Sequence, residues 1–144
     1  MAVNVNISKT DKDNAVIHHL PCVIKRNGPA NVTKYFQSSI IEGDGGVLST
    51  SFRGYPLLGK EINVPKNYTG VVLQEPQTKL SEESNRNVYT IASFDKLTYW
   101  NYDRVPSEND QIMSVMNWID ISSAVSIKIV LTFIFIVMKS SVHF

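Results

Sequence analysis

The residues of this 144-residue chain whose types could do chemistry are few, and their spacing works against most of it. His18 and His19 are adjacent, and a strand sends neighbours to opposite faces, so the pair is badly placed to share one ion. No second pair of ligands follows at metal spacing. A nucleophilic thiol needs a base brought beside it by the fold, and the Pro21 bend separates His19 from Cys22, so Cys22 reads as a structural thiol. Gly43-Asp44-Gly45-Gly46 lacks the Lys and Ser or Thr that complete a phosphate loop. Two-metal phosphodiester cleavage needs several carboxylates converging on ions about 3.5–4 Å apart. The chain has 13 acids, most in polar loops or on outward strand positions: Asp11, Asp13, Glu42, Asp44, Glu75, Glu82, Glu83 and Glu108. The residues therefore point to a chain with no catalytic group, no metal site and no cofactor of its own.

Two stretches of unusual texture remain. In Ser51-Phe52-Arg53-Gly54, Arg53 has strand parity opposite Phe52, and an Arg beside Gly can make a forked contact to a carboxylate or phosphate. The run Ala92–Trp100 concentrates Phe94, Leu97, Tyr99 and Trp100. Those rings suit a core, a protein interface or a base-stacking surface. Base stacking needs surrounding positive charge, and only Lys96 and Arg104 are near, so core or interface is preferred.

The elements that must carry these residues are mostly strands. Ala15 to Ile24 is an apolar stretch that Pro21 makes an edge strand or a bent one. Asn27-Gly28-Pro29 is a turn, and Val32 to Ile41 is open between strand and helical turn. Leu48, Thr50 and Phe52 alternate with polar neighbours, giving a half-buried strand with Leu48 and Phe52 inward. Gly54, Pro56 and Gly59 mark a tight return, followed by strand segments at Glu61–Val64 and Tyr68–Glu75. Pro76 to Asn87 is a polar loop. Val88 to Trp100 reads as one long strand whose apolar parity switches near Asp95-Lys96, as at a β-bulge. Large apolar groups on both its faces suggest a barrel interior on one side and a partner surface on the other, in preference to full burial. After Pro106 the period changes. Ile112, Val115, Met116 and Ile119 recur at i, i+3, i+4 and i+7 behind Ser107 and Asp110, which predicts an amphipathic helix over about 108–125 with a capping-box-like start.

Composition agrees with a globular chain: 43% hydrophobic and 19% charged. The net charge of +1 gives no basic excess for free-standing nucleic-acid binding, and one cysteine rules out an internal disulfide and fits a reduced compartment. The start lacks a secretory signal pattern, so the sequons at Asn6, Asn31 and Asn67 read as chance matches. Ile129–Met138 is uncharged, but Lys128 and Lys139 bracket it, short of the roughly 20 residues that a spanning helix needs. Membrane insertion is therefore not expected.

The ordered motifs resemble a known family. They are His19-Leu20-Pro21-Cys22; Gly28-Pro29-Ala30 with Tyr35-Phe36; Ser51-Phe52-Arg53-Gly54 with Leu58-Gly59-Lys60-Glu61 and Val64-Pro65; Ala92-Ser93-Phe94 with Thr98-Tyr99-Trp100; and Trp118. Over residues 15–125 the chain is similar to the non-catalytic C subunit of eukaryotic type 2 ribonuclease H. The resemblance implies a heterotrimer in the nucleus. In it a B subunit interweaves strands with the C-type chain into a triple-barrel body, and a separate A subunit holds the catalytic carboxylates and metal ions. That complex cleaves the RNA strand of RNA–DNA hybrids and incises at ribonucleotides in DNA, so hybrid is met only through the complex. Two departures stand out. Ser126 occupies a position where the family usually has His, and from there the sequence leaves the family pattern; the Pro76–Asn87 loop is also short.

The expected organisation is a loose arm at 1–14, a β-barrel scaffold at 15–106, a helix at 107–125 and a divergent apolar tail at 126–144. The candidate partner-interface residues are Phe52, Arg53, Phe94, Leu97, Tyr99, Trp100 and Trp118. The competing readings are a tail-anchored β-domain and a single-strand-binding barrel that uses Phe94, Tyr99 and Trp100.

Overall fold

The structure, a computed structural model, describes residues 3–6, 14–25, 28–74, 86–124 and 142–143. The fold is two β-sheets and a C-terminal helix, as the sequence predicts. A three-stranded sheet has the order β1 (Val3–Asn6), β7 (Arg86–Phe94), β6 (Gly70–Gln74). A six-stranded sheet has the order β3 (Ile41–Glu42), β4 (Val47–Phe52), β5 (Tyr55–Asn63), β8 (Lys96–Tyr102), β2 (Ile17–His19), β9 (Val142–His143). Helix α1 (Val32–Tyr35) with a following 3₁₀ turn at Gln37–Ser39 resolves the open 32–41 stretch, and α2 spans Gln111–Ala124.

Four expectations are corrected. Val3–Asn6 is not a loose arm: it pairs in parallel with β7 from Val3↔Arg86 to Asn6↔Tyr89. Pro56 and Gly59 lie within β5, so the return is only the two-residue Arg53-Gly54 turn. The strand around Pro21 shrinks to Ile17–His19 and is bordered on both sides, by β8 and by β9. The expected long strand is two strands in different sheets, broken at Asp95, whose carbonyl accepts from the Val64 N–H at 2.8 Å. The parity switch is thus real, but it marks a change of sheet; a bulge and a break leave the same trace in a one-dimensional pattern. The loop after Gln74, the stretch 7–13 and nearly all of the tail lie outside the described residues.

Two hydrophobic cores follow. The first lies between the sheets and is covered by α2: Ile17, Ile62, Val72, Ala92, Phe94, Leu97, Met116 and Ile119. The second lies on the other side of the large sheet: Leu20, Phe36, Leu57 and Trp100, ringed by half-buried Leu48 and Phe52 among others. Strand β8 serves both, with Leu97 in the first core and Trp100 in the second. Its two apolar faces are therefore buried by this chain's own elements, which corrects the preferred reading of an uncovered partner face. No described helix is long and apolar enough to cross a membrane.

Each core is set by a glycine directly across from a large ring. Gly59 pairs with Trp100, and a Cβ there would lie 2.6 Å from the indole. Gly70 pairs with Phe94, and a Cβ would meet its ring. With no side chain opposite, each ring lies flat over the neighbouring strand, which fixes the local register.

Candidate functional site

The candidate residues separate into an interior set and a surface set. Trp100 is fully buried, Phe94 is 1% and Leu97 3% exposed, so these three stand in the cores and offer no surface. Trp100 donates its indole N–H to His18 Nδ1 at 3.3 Å and sits edge-on to Phe36. His18 also meets Phe36, while His19 lies against Tyr99 on the opposite face, as neighbours on a strand must. Burial holds both histidines below their ordinary pKa, so both are neutral near pH 7.

Arg53 and Trp118 lie at the surface, with Phe52 and Tyr99 half-buried. Arg53 and Gly54 form the two-residue β4–β5 loop with φ of 50° and 83°. Both angles are left-handed, the geometry whose twist matches a tight hairpin. The guanidinium carbon rests 5.6 Å from the Phe52 ring centroid. Beside this corner is a groove of about 470 Å³ whose walls include Cys22, Val23, Phe52, Arg53, Tyr55 and Tyr102. Tyr55 and Tyr102 meet edge to face at 5.9 Å. Desolvation, helped by the neighbouring Cys22, pushes the Tyr102 hydroxyl up from its ordinary pKa, so it stays a neutral donor. Cys22 is half-buried at the rim of the second core, consistent with a structural thiol.

On α2, Met116 and Ile119 face the first core, with Ile112 and Val115 half-buried beside them, as the predicted stripe requires. Trp118 and Ile121 turn outward, 69% and 54% exposed. An outward Trp on a helix that already has an inward stripe is surplus to folding.

Asp110 is a structural residue that sequence reasoning placed only as part of a cap. Its carboxylate accepts from the Ser107 N–H at 2.8 Å and from Asn101 Nδ2 at 2.9 Å, and it pairs with Arg104. Its own N–H reaches the Ser107 carbonyl at 2.9 Å. The Ser107 N–H foremost, then Asn101 and Arg104, hold the acid below its ordinary pKa against desolvation. Asp110 thereby ties the end of β8 to the start of α2. The signal in sequence was the Ser-x-x-Asp spacing; that Asn101 would join it follows only from the fold.

Among the described residues, no group of three His, Cys, Asp or Glu converges to hold a metal. Asp110 is the one buried acid among them. The described surface offers binding features: an apolar helix face, an aromatic groove with a cation at its lip, and sheet edges.

Comparison with known proteins fits that inventory. The family profile of the ribonuclease H2 non-catalytic subunit matches residues 16–125. The chain is similar to the C subunit of ribonuclease H2 from Bos taurus, 28% identical over 77% of this chain and 80% of the relative. It is 34% identical to an uncharacterized protein of Schizosaccharomyces pombe over 74% of this chain and 79% of that one. It is 25% identical to the C subunit of ribonuclease H2 from Mus musculus over 77% and 80%.

Proposed function

The chain belongs to the ribonuclease H2 non-catalytic subunit family, and from that premise we propose that it is the C-type scaffold of a three-subunit complex. In this reading strands of a B subunit complete the barrels, and the catalytic carboxylates with their metal ions belong to a separate A subunit. The assembly cleaves the RNA strand of RNA–DNA hybrids and incises at ribonucleotides in DNA, in the nucleus, while this chain contributes no catalytic residue and no cofactor. The strands, β1 (Val3–Asn6) among them, make the scaffold, and α2 (Gln111–Ala124) packs over the core between the sheets.

The observation that carries the reading is the small sheet. Its order β1-β7-β6 leaves the outer edges of β1 and β6 unpaired among the described residues. Exposed strand edges are templates for another chain, and barrel closure removes them. Three strands are too few to close a barrel alone. Outward Trp118 and Ile121 add an apolar helix face of the kind that interfaces favour. Of the candidate interface residues, Phe52, Arg53, Tyr99 and Trp118 are the ones left at or near the surface to meet partners.

Co-expression tests this. The chain alone is expected to be poorly soluble and to leave a hybrid duplex uncut. Together with B and A subunits it is expected to copurify in a stoichiometric complex that cuts. Hydrolysis by the chain alone, or a monodisperse and cooperatively folding chain that gathers no subunit, would falsify the proposal.

A further inference from the structure

We infer that the groove beside the β4–β5 turn docks an extended, acidic segment of a partner chain that carries a large apolar side chain. The inference deepens the scaffold reading and rests on it, because the occupant belongs to another chain of the assembly. Four observations carry it.

The first is the residue at the turn. A two-residue hairpin loop with both φ positive suits Asn-Gly or Asp-Gly. Arg53 occupies the left-handed position instead, where a long side chain meets steric resistance. A residue that works against its turn and stands exposed is better placed for recognition than for folding. The second is charge. Arg53 and Lys25 are the cations of the groove, and no carboxylate is among its described lining residues. The guanidinium rests over the Phe52 ring at the groove wall, and its forked donors suit a carboxylate entering there.

The third is the apolar surface. Val23 is 72% and Tyr55 65% exposed, beside half-covered Tyr102. The volume of about 470 Å³ is in the range of ligand sites. The fourth is backbone. Residues 23–25 run along the groove outside any strand, and their main-chain groups pair with no other described residue. They are open to the main chain of an extended peptide.

A nucleic-acid strand is disfavoured by the same facts. Two cations on a chain of net charge +1 make no electrostatic track for successive phosphates. The edge-to-face tyrosine pair is not an open stacking platform.

Photo-crosslinking from the groove tests the inference. The full chain carrying Tyr55→p-benzoylphenylalanine is co-expressed with the other subunits and irradiated, and the adduct is sequenced by mass spectrometry. Ile41, exposed outside the groove, is the control position. The expected adduct is one stretch of a partner chain with carboxylates flanking an apolar side chain. Arg53→Glu is expected to cut its yield about tenfold, with Arg53→Lys intermediate. An adduct on nucleic acid, on a neutral or basic stretch, or one undiminished by Arg53→Glu overturns the inference, as does an intact complex that gives no adduct. Copurification reports separately on the scaffold reading, and a chain that gathers no partner overturns both.

Discussion

The two cores of this chain use one device and finish it differently. In each, a glycine lies across from a large ring, Gly70 under Phe94 and Gly59 under Trp100. The first core is then covered by α2, through Met116 and Ile119. The second is covered by Leu20 and the short helical segment with Phe36, and its rim stays half-buried at Cys22, Ile24 and Phe52. That rim is shared with the groove. Half-buried apolar residues edge both cores; Cys22, Ile24 and Phe52 of the second line the groove, where they present apolar surface for another chain. The open rim adds a recognition surface at the Arg53 corner to those offered by the small-sheet edges and the outward face of α2.

Breaking the rings gives the largest effect. Trp100→Ala should cost about 3–5 kcal/mol in the second core, and Phe94→Ala as much in the first. Hydrogen exchange on the assembled complex separates them. Trp100→Ala should strip protection from β4 and β5 while β6 and β7 keep theirs, and Phe94→Ala the reverse. Uniform loss in both cases would mean one cooperative core, not two.

Overfilling the crossings comes next. Gly59→Ala and Gly70→Ala each push a methyl into a ring with no room for it, at about 1–3 kcal/mol. Loss of solubility on co-expression, relieved by a smaller, ringless side chain opposite (Phe94→Leu with Gly70→Ala), would sharpen the claim that ring and glycine form a unit. Failure of that rescue would separate them.

Acid should act on the two β2 histidines, one on each face of the large sheet, before the helix junction. Burial lowers the pKa of His18 and His19 from 6.5, so the unfolded chain binds more protons between their folded values and 6.5. The stability that they lend is complete above about 6.5 and declines as pH falls below it. Asp110 is lowered from 3.8, so its contribution persists until pH falls under that value. Denaturant midpoints of the complex should therefore slip first below about pH 6.5 and again below about 4. A flat profile from about 7.5 to 5 would contradict the buried neutral histidines.

Trp118→Ser should be the mildest for folding, within about 0.5 kcal/mol, because the side chain is mostly in solvent. Its expected effect is weaker retention of a partner chain on a column. A large loss of stability with retention unchanged would move Trp118 into the folding set.

Much of this could be read in the sequence. Period-2 alternation found β4, the 3.6-residue period found α2 and its inward stripe, and the ordered motifs gave the family. Less was legible where one pattern serves two ends. The rings of Ala92–Trp100 suit an interior and an interface equally by type, and only the fold put Phe94, Leu97 and Trp100 inside. Val3-Asn4-Val5-Asn6 does alternate apolar and polar residues, but four residues are too short a run to establish a strand, and its partner β7 lies more than 80 residues away.

The chain's own residues determined which faces are apolar, where turns and helix begin, and that no catalytic cluster is spelled out, because these follow from side-chain chemistry and short-range period. The tertiary structure alone decided that β8 would be buried on both faces, that Asn101 and Arg104 would converge on Asp110, and that Cys22, Arg53 and Tyr102 would share one groove. Those outcomes depend on pairings between distant segments, and no local pattern records them.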